Sequence, residues 1–385
     1  MQGIYHLQGT VKHYDWGGKN FIPSLLQLPN PGNLPFAEYW LGVHPLGIST
    51  VVSPGNEARP LDEVIGDLSF LLKILDVKSM LSIQVHPSLK AAGEEFLREN
   101  RENIPLNDPR RNYKDSNHKP ELLVALGDFW LLHGFKPAKA LSETLQRVQE
   151  LKPLLDHFAN DDFARLYKYI MQMPQEEVNS ILQPLTERVL RGRQHNSNRE
   201  DEEYWVAKAM ETFPGKNIDR GIFSIYLFNI VYLKEGEGIF QDAGVPHAYL
   251  EGQNVEIMAN SDNVLRGGLT TKHIDVPELL KHVKCEATVP HILRQSGKES
   301  DYKVPVPDFS LQAYRLEAGE EIRFMPKGKE ILLVASGLVT VQHEDQQLQL
   351  GAGNPAALIS TEKPALIRAI APATVFRASG TLHKR

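Results

Sequence analysis

A change of hydrophobic pattern in the middle of the chain constrains the fold more than any other feature of the sequence. Residues 1 to about 140 are rich in Pro, Gly and short apolar runs, and the runs at 71–77, 81–85 and 122–126 have the pattern of buried strands between turns. From residue 137 to about 214, apolar residues recur at helical spacing instead. The sequence therefore predicts a β-rich chain that is interrupted by a helical block.

The same reading extends to the rest of the chain. In the helical block, Ser142 and Asp161 fit helix N-caps. β-type patterns return at Gly221, where the apolar stretch 221–233 predicts one or two buried strands, and beyond about residue 289 short strands recur at sandwich-like intervals. We predict a mainly β fold class with an α insertion, in which two β-sandwiches accompany a helical domain. The predicted domains are residues 1–138 with 218–288, an inserted helical domain at 139–217, and a C-terminal, metal-free β-sandwich at 289–385.

Composition narrows the classes of function. The 385 residues carry a net charge of −6, with 42 basic and 48 acidic side chains, so no broad basic surface for nucleic acid is expected. Cys285 is the single cysteine, which excludes an internal disulfide and a thiolate metal site. The start of the chain has no signal-type apolar region, and the longest apolar stretch is shorter than the ~20 residues of a membrane helix. We expect a soluble, cytoplasmic monomer without membrane partners.

Three segments carry residues that can bind a metal ion together. Gln84 and His86 are two positions apart on a predicted strand, so both side chains point to one face, which Ser82 shares. Glu121 opens a strand after a proline, and His247 follows a proline and a turn. Taken singly, these are an ordinary polar pair, a surface carboxylate and a turn histidine. Together, two imidazoles, a carboxylate and an amide suit Zn²⁺, although Mn²⁺, Fe²⁺ or Co²⁺ can occupy such a site.

The motifs around these residues resemble those of the type I phosphomannose isomerases. The resemblance rests on SIQVHP at 82–87, NHKPELLVAL at 117–126 and SDNVLRGGLT at 261–270, and it extends from Tyr14 to about Val276. It implies cupin-type jelly rolls with a helical insertion, and interconversion of mannose 6-phosphate and fructose 6-phosphate. It also implies one zinc ion per chain, with the ligands Gln84, His86, Glu121 and His247. Ser88 and Leu89 depart from the family, which often has an acidic and a basic residue there.

Aldose–ketose isomerisation sets requirements that the charged residues can meet. One proton moves between C2 and C1 through a cis-enediol that carries negative charge on oxygen, so a base and an electrophile are needed. Arg266 is the candidate for stabilising that charge, and its structural alternative is an ion pair with Asp262. The candidates for proton transfer are Asp262, Glu256, His118 and Lys119. The sequence does not rank them, and we slightly prefer Asp262 working with Arg266 and Lys119.

The sugar phosphate also needs a cationic pocket. Ser82, Lys119 and Lys272 are the candidate contacts, and the Gly-Gly-Leu-Thr-Thr loop before Lys272 is expected to offer exposed backbone N–H groups to the anion. A solvated loop lysine is the equally weighted alternative for Lys272. Tyr249 and Glu256 are expected to line the pocket. His44 and Trp40 are instead expected to serve packing and hydrogen bonding.

Two other functions fit parts of the pattern. An iron dioxygenase of the cupin type requires two histidines and one carboxylate with open positions for O₂. Gln84 as a fourth ligand and the Arg and Lys set argue against that enzyme. A non-catalytic sugar-binding cupin is the second alternative, and the density of charged residues around the ligand motifs argues against it.

Overall fold

The computed structural model of the protein describes residues 2–53, 57–192 and 197–380. Antiparallel strands dominate its first part, because short apolar runs there alternate with turn residues. The strands of this part are β1 (Gly3–Gln8), β2 (Thr10–Lys12), β3 (Glu38–Leu41), β4 (Thr50–Val52), β5 (Ala58–Pro60), β6 (Phe70–Val77), β7 (Ile83–Val85), β8 (Glu121–Ala125) and β9 (Phe129–Phe135). The helices of this part are α1 (Phe21–Leu26), α2 (Leu61–Ile65) and α3 (Leu89–Arg101).

The predicted helical block is confirmed. Its helices bury apolar side chains that recur at helical spacing, among them Leu182 and Trp205, in a core shared with the strand residue Phe135. The α-helices are α4 (Ala138–Arg147), α5 (Phe163–Gln172), α6 (Gln175–Gly192) and α7 (Glu202–Thr212), with 3-10 turns at Gln149–His157 and Ala159–Asp161.

Three local predictions in this region are wrong. Ser142 lies inside α4 rather than at its N-cap, which is Pro137. The N-cap of α5 is Asp162, whose side chain accepts a hydrogen bond from the Arg165 N–H, and not Asp161. The stretch 221–233 begins as helix α8 (Gly221–Leu227), and only its second half forms a strand, β10 (Phe228–Leu233). All residues of α8 are buried, and a short helix buried on every side has no amphipathic period that distinguishes it from a buried strand.

The remaining strands complete two antiparallel sheets. They are β11 (Gly238–Gln241), β12 (His247–Ala259), β13 (Leu265–Gly268), β14 (Ile292–Leu293), β15 (Glu299–Tyr302), β16 (Phe309–Leu316), β17 (Glu321–Phe324), β18 (Gly328–His343), β19 (Gln346–Gly351), β20 (Ala356–Thr361) and β21 (Ala365–Gly380), with helix α9 (Val276–His282) after β13. The first sheet runs β15-β16-β21-β18-β20-β1-β4-β5, and the second runs β14-β11-β8-β12-β6-β3-β2. The mainly β fold class with an α insertion is confirmed.

The long strand β12 organises the second sheet. Its first residues pair with β7 and β9, and its later residues pair with β6 and β8. A register shift between Tyr249 and Glu251 separates the two halves. Side chains from one strand therefore reach two groups of neighbouring strands.

The predicted domain boundaries stay a prediction. Strands β1, β4 and β5 come from the start of the chain, yet they hydrogen-bond in the sheet that contains the C-terminal strands. A division of the chain by sequence position alone therefore assigns these three strands to a different domain from the sheet in which they lie. Among the described helices, none has the length and apolar character needed to cross a bilayer.

Trp205 provides a test of the helical core. Its side chain is fully buried, so Trp205→Ala is expected to lower the free energy of unfolding by about 3–5 kcal/mol, the usual cost of removing a large buried side chain. Urea unfolding followed by circular dichroism measures the change. Leu190→Ala on α6, where the leucine is 41% exposed, is the matched control and is expected to change stability much less. Equal effects of the two variants would contradict this packing.

Candidate metal centre and active site

Three of the predicted ligands meet at one buried point. His86, Glu121 and His247 each offer a ligand atom, and these atoms lie within 4.8 Å of one another. Nε2 of His86 is 3.4 Å from Glu121 Oε1, and Nε2 of His247 is 3.4 Å from Glu121 Oε2. Each imidazole therefore faces a different oxygen of the same carboxylate.

Backbone carbonyls orient both imidazoles. Nδ1 of His86 lies 3.0 Å from the carbonyl oxygen of Asn263, and Nδ1 of His247 lies 3.0 Å from that of Val245. A ring nitrogen that bonds a carbonyl must carry the proton, which leaves the Nε2 lone pair free for a metal. Nε2 of His86 is buried and has no hydrogen-bond partner within the described part of the chain. A buried ring nitrogen without a hydrogen-bond partner is expected of a histidine that binds a metal ion.

Gln84 is the candidate for a fourth donor. It lies opposite His247 in the pairing of β7 with β12, and its side chain lines the same small cavity of about 50 Å³ as Glu121 and His247. Two imidazole nitrogens and two side-chain oxygens form a donor set that suits Zn²⁺. The four predicted ligands therefore fit a divalent cation.

The strand registers explain why these side chains converge. Glu121 opens β8, where it lies opposite Gln241 on one side and Met258 of β12 on the other. His247 opens β12, and His86 follows directly after β7. His86, Glu121 and His247 thus lie at strand ends, and Gln84 lies within the short strand β7, directly opposite His247.

Electrostatics favour the metal-binding protonation states. Burial raises the pKa of Glu121, but the nearby ammonium charge of Lys119 outweighs it and holds the pKa well below its usual range. Nζ of Lys119 lies 2.8 Å from Glu121 Oε1. Burial lowers the pKa of His86 to about 4, so this imidazole is neutral at neutral pH, as metal binding requires.

A larger cavity of about 870 Å³ adjoins the metal centre through Gln84. It brings together most of the residues predicted to bind or convert a substrate. The predicted residues in its wall are Ser82, Gln84, Lys119, Asp262, Arg266 and Lys272. Tyr249 and Glu256 line the smaller cavity instead.

Arg266 and Lys272 are cations without a carboxylate partner in the described residues. The predicted alternative, an ion pair between Arg266 and Asp262, does not form there, and the buried Nε of Arg266 has no hydrogen-bond partner in the same ranges. Burial lowers the pKa of Arg266. Burial and the nearby charge of Arg266 lower the pKa of Lys272. Arg266 is partly buried and Lys272 is exposed, and both cations can pair with an anion in the cavity.

The backbone of the loop before Lys272 does not offer the expected anion cradle. The N–H groups of Leu269 and Thr270 donate to the carboxylate of Asp219 at 2.8 and 3.0 Å. The N–H of Lys272 donates to the Thr270 hydroxyl at 3.1 Å. Because these three donors are occupied, the side chains of this wall are the main groups that can bind an anion.

Asp262 is the proton-transfer candidate that faces the larger cavity as a carboxylate. Its Oδ2 lies 3.3 Å from Nε2 of His44, and Nδ1 of His44 accepts a hydrogen bond from the Leu46 N–H at 3.2 Å. Nε2 therefore carries the proton and donates to Asp262. Burial raises the pKa of Asp262, but the hydrogen bond from His44 and the charges of Lys119 and Lys73 outweigh it, so the pKa lies below its usual value.

Two other candidates are engaged elsewhere. Glu256 is buried, accepts a hydrogen bond from the Tyr249 hydroxyl at 2.8 Å and pairs with Lys73 at 3.1 Å. Burial and the charge of Glu121 raise the pKa of Glu256. His118 is directed to Asp308, with 3.1 Å between Nε2 and Oδ1, and it lines neither cavity.

Sequence reasoning missed Lys73, which lies in the walls of both cavities. Besides Glu256, its Nζ lies 3.7 Å from Glu38, and it sits 5.1 Å from the centre of the Trp40 ring. Burial lowers the pKa of Lys73, but the charges of Glu38 and Glu256 outweigh it and raise the pKa overall. A lysine inside the apolar strand FLLKILDV was the available signal.

His44 and Trp40 also line the larger cavity, so their surroundings go beyond the packing expected of them. Both precede the sharp Pro-Leu-Gly turn at 45–47, and their rings contact edge to face at 5.0 Å. Pairing of β3 with β6 places Trp40 opposite Lys73, and His44 follows β3 and contacts Asp262. The sequence of β3 and β6 contains no metal-ligand pattern, so it did not indicate that these residues belong to the cavity wall.

A second cluster of titratable side chains lies between α3 and α9. Glu95, Glu278 and His282 come within 4.8 Å of one another. Lys281 lies 2.7 Å and Arg98 3.4 Å from the same oxygen of Glu278. Because these cations already balance the carboxylates, the cluster acts as a bridge between helices.

His247 provides a test of the metal centre. His247→Ala removes one of two nitrogen donors from a site with four protein ligands, so metal content measured by atomic absorption after dialysis is expected to fall to background. His44→Ala, which removes a cavity histidine outside the centre, is the control and is expected to keep its metal. Full metal content in His247→Ala would exclude this residue as a ligand.

Comparisons with known proteins agree with this geometry. Residues 4–138 match the family model described as phosphomannose isomerase type I, catalytic domain. The chain is 34% identical to mannose-6-phosphate isomerase of Escherichia coli, over 94% of this chain and 96% of that protein. It is 32% identical to the human mannose-6-phosphate isomerase, over 80% of this chain and 81% of that protein.

Solved structures extend the agreement to the whole fold. Mannose 6-phosphate isomerase from Salmonella typhimurium, bound to its substrate fructose 6-phosphate and zinc, superposes with a TM-score of 0.85 and 31% identity. The superposition covers 98% of this chain and 100% of that one. Similarity of this extent in sequence and in fold makes the chain a member of the type I phosphomannose isomerase family.

Proposed function

We propose that the protein is a zinc-dependent isomerase that interconverts D-mannose 6-phosphate and D-fructose 6-phosphate. One observation carries the proposal: a buried centre of two histidines and a glutamate, with Gln84 in the wall of its small cavity, adjoins a larger cavity. The wall of the larger cavity holds Arg266 and Lys272, which have no carboxylate partner among the described residues. Relatives in Escherichia coli and human bear the same enzyme name, and the Salmonella structure holds fructose 6-phosphate and zinc.

The reaction requires charge stabilisation more than covalent chemistry. A proton leaves C2 of the aldose and returns to C1 of the ketose, and in between the cis-enediol carries negative charge on its oxygens. Gln84, His86, Glu121 and His247 would hold one zinc ion per chain, which would supply Lewis-acid polarisation of a sugar oxygen. The remaining steps fall to the protein's own side chains.

Arg266 and Lys119 offset the developing negative charge. The guanidinium of Arg266 is fixed in charge, half-buried and free of carboxylate partners in the described residues, so it can give its hydrogen bonds to the enediolate. Lys119 lies in the same wall, 2.8 Å from the ligand Glu121, and links this positive charge to the metal centre. Both groups are in place before substrate arrives, which lowers the reorganisation needed in the transition state.

Asp262 is the group best situated to move the proton. Its side chain is 40% exposed towards the cavity, and His44 holds one carboxylate oxygen by a hydrogen bond. The lowered pKa keeps Asp262 ionised at neutral pH, so it can accept a proton at one carbon and return it at the next. Lys73 stays protonated and balances Glu38 and Glu256 below the cavity.

The phosphate is assigned to the part of the wall that carries Lys272. Lys272 and Ser82 line the larger cavity, and the lysine is a point cation that can bind phosphate oxygens without a fixed geometry. The occupied N–H groups of Leu269 and Thr270 leave this task to side chains.

A cytoplasmic location and a monomeric state belong to the same proposal.

The proposal is tested by a coupled assay with mannose 6-phosphate before and after chelation. Activity is expected to vanish with the chelator and to return with Zn²⁺, because the metal ion would be the Lewis acid that polarises the sugar oxygen. No turnover by the metal-loaded protein would favour a sugar-binding cupin without catalysis. Oxygen consumption measured with an electrode would favour the dioxygenase.

Arg266 provides a test of the charge-stabilising wall. Arg266→Ala is expected to lower kcat by about 10²-fold or more, as loss of an oxyanion donor typically does, while zinc content stays unchanged. Steady-state kinetics and atomic absorption measure the two quantities. Arg294→Ala is the control, because this arginine is exposed and pairs with Glu237 outside both cavities. Wild-type turnover in Arg266→Ala would exclude the assigned role.

A further inference from the structure

The geometry points to Asp219 as a positioning residue that holds the anion-binding wall of the cavity in place. Asp219 lies in the segment between α7 and α8, outside the larger cavity, so it acts on substrate through the loop that follows β13. The inference rests on the proposed function, since it concerns the part of that site assigned to phosphate.

The carboxylate of Asp219 gathers backbone donors from two segments. Oδ1 accepts hydrogen bonds from the N–H of Gly221 at 2.7 Å and of Leu269 at 2.8 Å, and Oδ2 accepts one from Thr270 at 3.0 Å. Bonds from N–H groups to an ionised acceptor are stronger than neutral ones. One side chain thus joins the start of α8 to the loop that leads to Lys272.

The loop needs such an anchor, because its backbone is unfavourable on its own. Leu269 has a φ of 51°, in the left-handed region that non-glycine residues rarely adopt. Its side chain is 1% exposed and packs in the core with the helices. The Asp219 hydrogen bonds therefore hold a strained residue at the point where the chain turns from β13 into the cavity wall.

Two glycines allow the close approach that makes these bonds possible. A Cβ on Gly268 would lie 2.4 Å from the Cα of Gly221, and a Cβ on Gly221 would lie 2.4 Å from the N atom of Leu269. The two backbones are in direct contact, with no side chain between them. This explains the glycines at positions 221 and 268.

The consequence concerns Lys272, which has no carboxylate partner among the described residues. It follows the anchored residues by two positions, so its place in the cavity wall depends on where Leu269 and Thr270 lie, whereas Arg266 is held by the pairing of β13 with β7. Asp219 occupies the N–H groups that an anion would otherwise use. A carboxylate in this position fixes the loop and also leaves the phosphate to side chains on its other side.

The test compares Asp219→Asn with Asp275→Asn. The amide keeps the shape of Asp219 but loses its charge and one acceptor oxygen, so KM for mannose 6-phosphate is expected to rise about tenfold or more, the fold-change that one charge-assisted hydrogen bond represents. kcat is expected to change less than KM, and zinc content not at all. Asp275→Asn, which alters the N-cap of α9 nearby, is the matched control and is expected to leave KM within about threefold, as uncharged capping changes do.

A double-mutant cycle with Lys272→Ala identifies the route of the effect. If Asp219 acts by positioning Lys272, Asp219→Asn should raise KM much less in the Lys272→Ala background than in the wild-type background. A fully additive increase, or an unchanged KM in a folded Asp219→Asn protein, would overturn the inference. Asp219→Glu serves if the asparagine variant does not fold, because it keeps the charge while displacing it by one methylene, and it too should raise KM.

The outcomes separate this inference from the proposed function. Wild-type protein without isomerase activity would refute the function. Active wild-type protein whose KM does not respond to either Asp219 variant would refute the positioning role alone.

Discussion

The ionised carboxylate of Glu121 is the group on which the rest of the site depends. It is 3% exposed, and a carboxylate removed from water is stable only if positive groups and hydrogen-bond donors surround it. Lys119, two positions earlier in the chain, supplies one such contact, and a cation held between Glu121, His86 and His247 would supply the other, with the two histidines coming from segments that are far apart in sequence. Folding therefore has to bring β7, β8 and β12 into one register before this charge is balanced.

A second layer of charges continues from this group into the sheet. Glu256 on β12 lies directly opposite Lys73 on β6, and Lys73 in turn approaches Glu38 on β3. Carboxylates and ammonium groups thus alternate across neighbouring strands beneath the cavity. These ion pairs fix the side chains in place, because Lys73 is bound by a carboxylate on either side. The substrate cavity consequently has a rigid, charged floor, whereas Arg266 and Lys272 on its wall remain available to an anion.

The parts of the structure predicted from sequence are those that follow from periodicity and from residue type. The helical block between β-rich segments was recognisable because amphipathic helices bury one side only. The ligand set was recognisable because Gln84 and His86 share one face of a strand and because His247 and Glu121 open strands. Helix α8 was missed since its residues are buried on all sides. The pairing of β1 with β20 was also missed, because strand partners distant in sequence leave no local pattern.

The functional residues that escaped prediction belong to networks rather than motifs. His44 matters through its contact with Asp262, and Lys73 through two carboxylates on other strands. A glycine-rich loop before Lys272 was a reasonable place to expect free backbone N–H groups. The sequence alone does not show that Asp219, some fifty positions earlier, accepts hydrogen bonds from two of them. Contacts of this kind are set by tertiary packing alone.

Strand β12 limits how this scaffold can be redesigned. It carries His247 at its start and Glu256 near its end, and adding or removing one residue between them would turn one of these side chains to the opposite face. Gly252 adds a second restriction on this strand, because its φ is 129° and a Cβ there would lie 2.5 Å from the Asp128 carbonyl oxygen, so another residue would not fit at this position. Engineering for a different sugar phosphate is therefore best confined to the loops around the cavity, with the length of this strand left as it is.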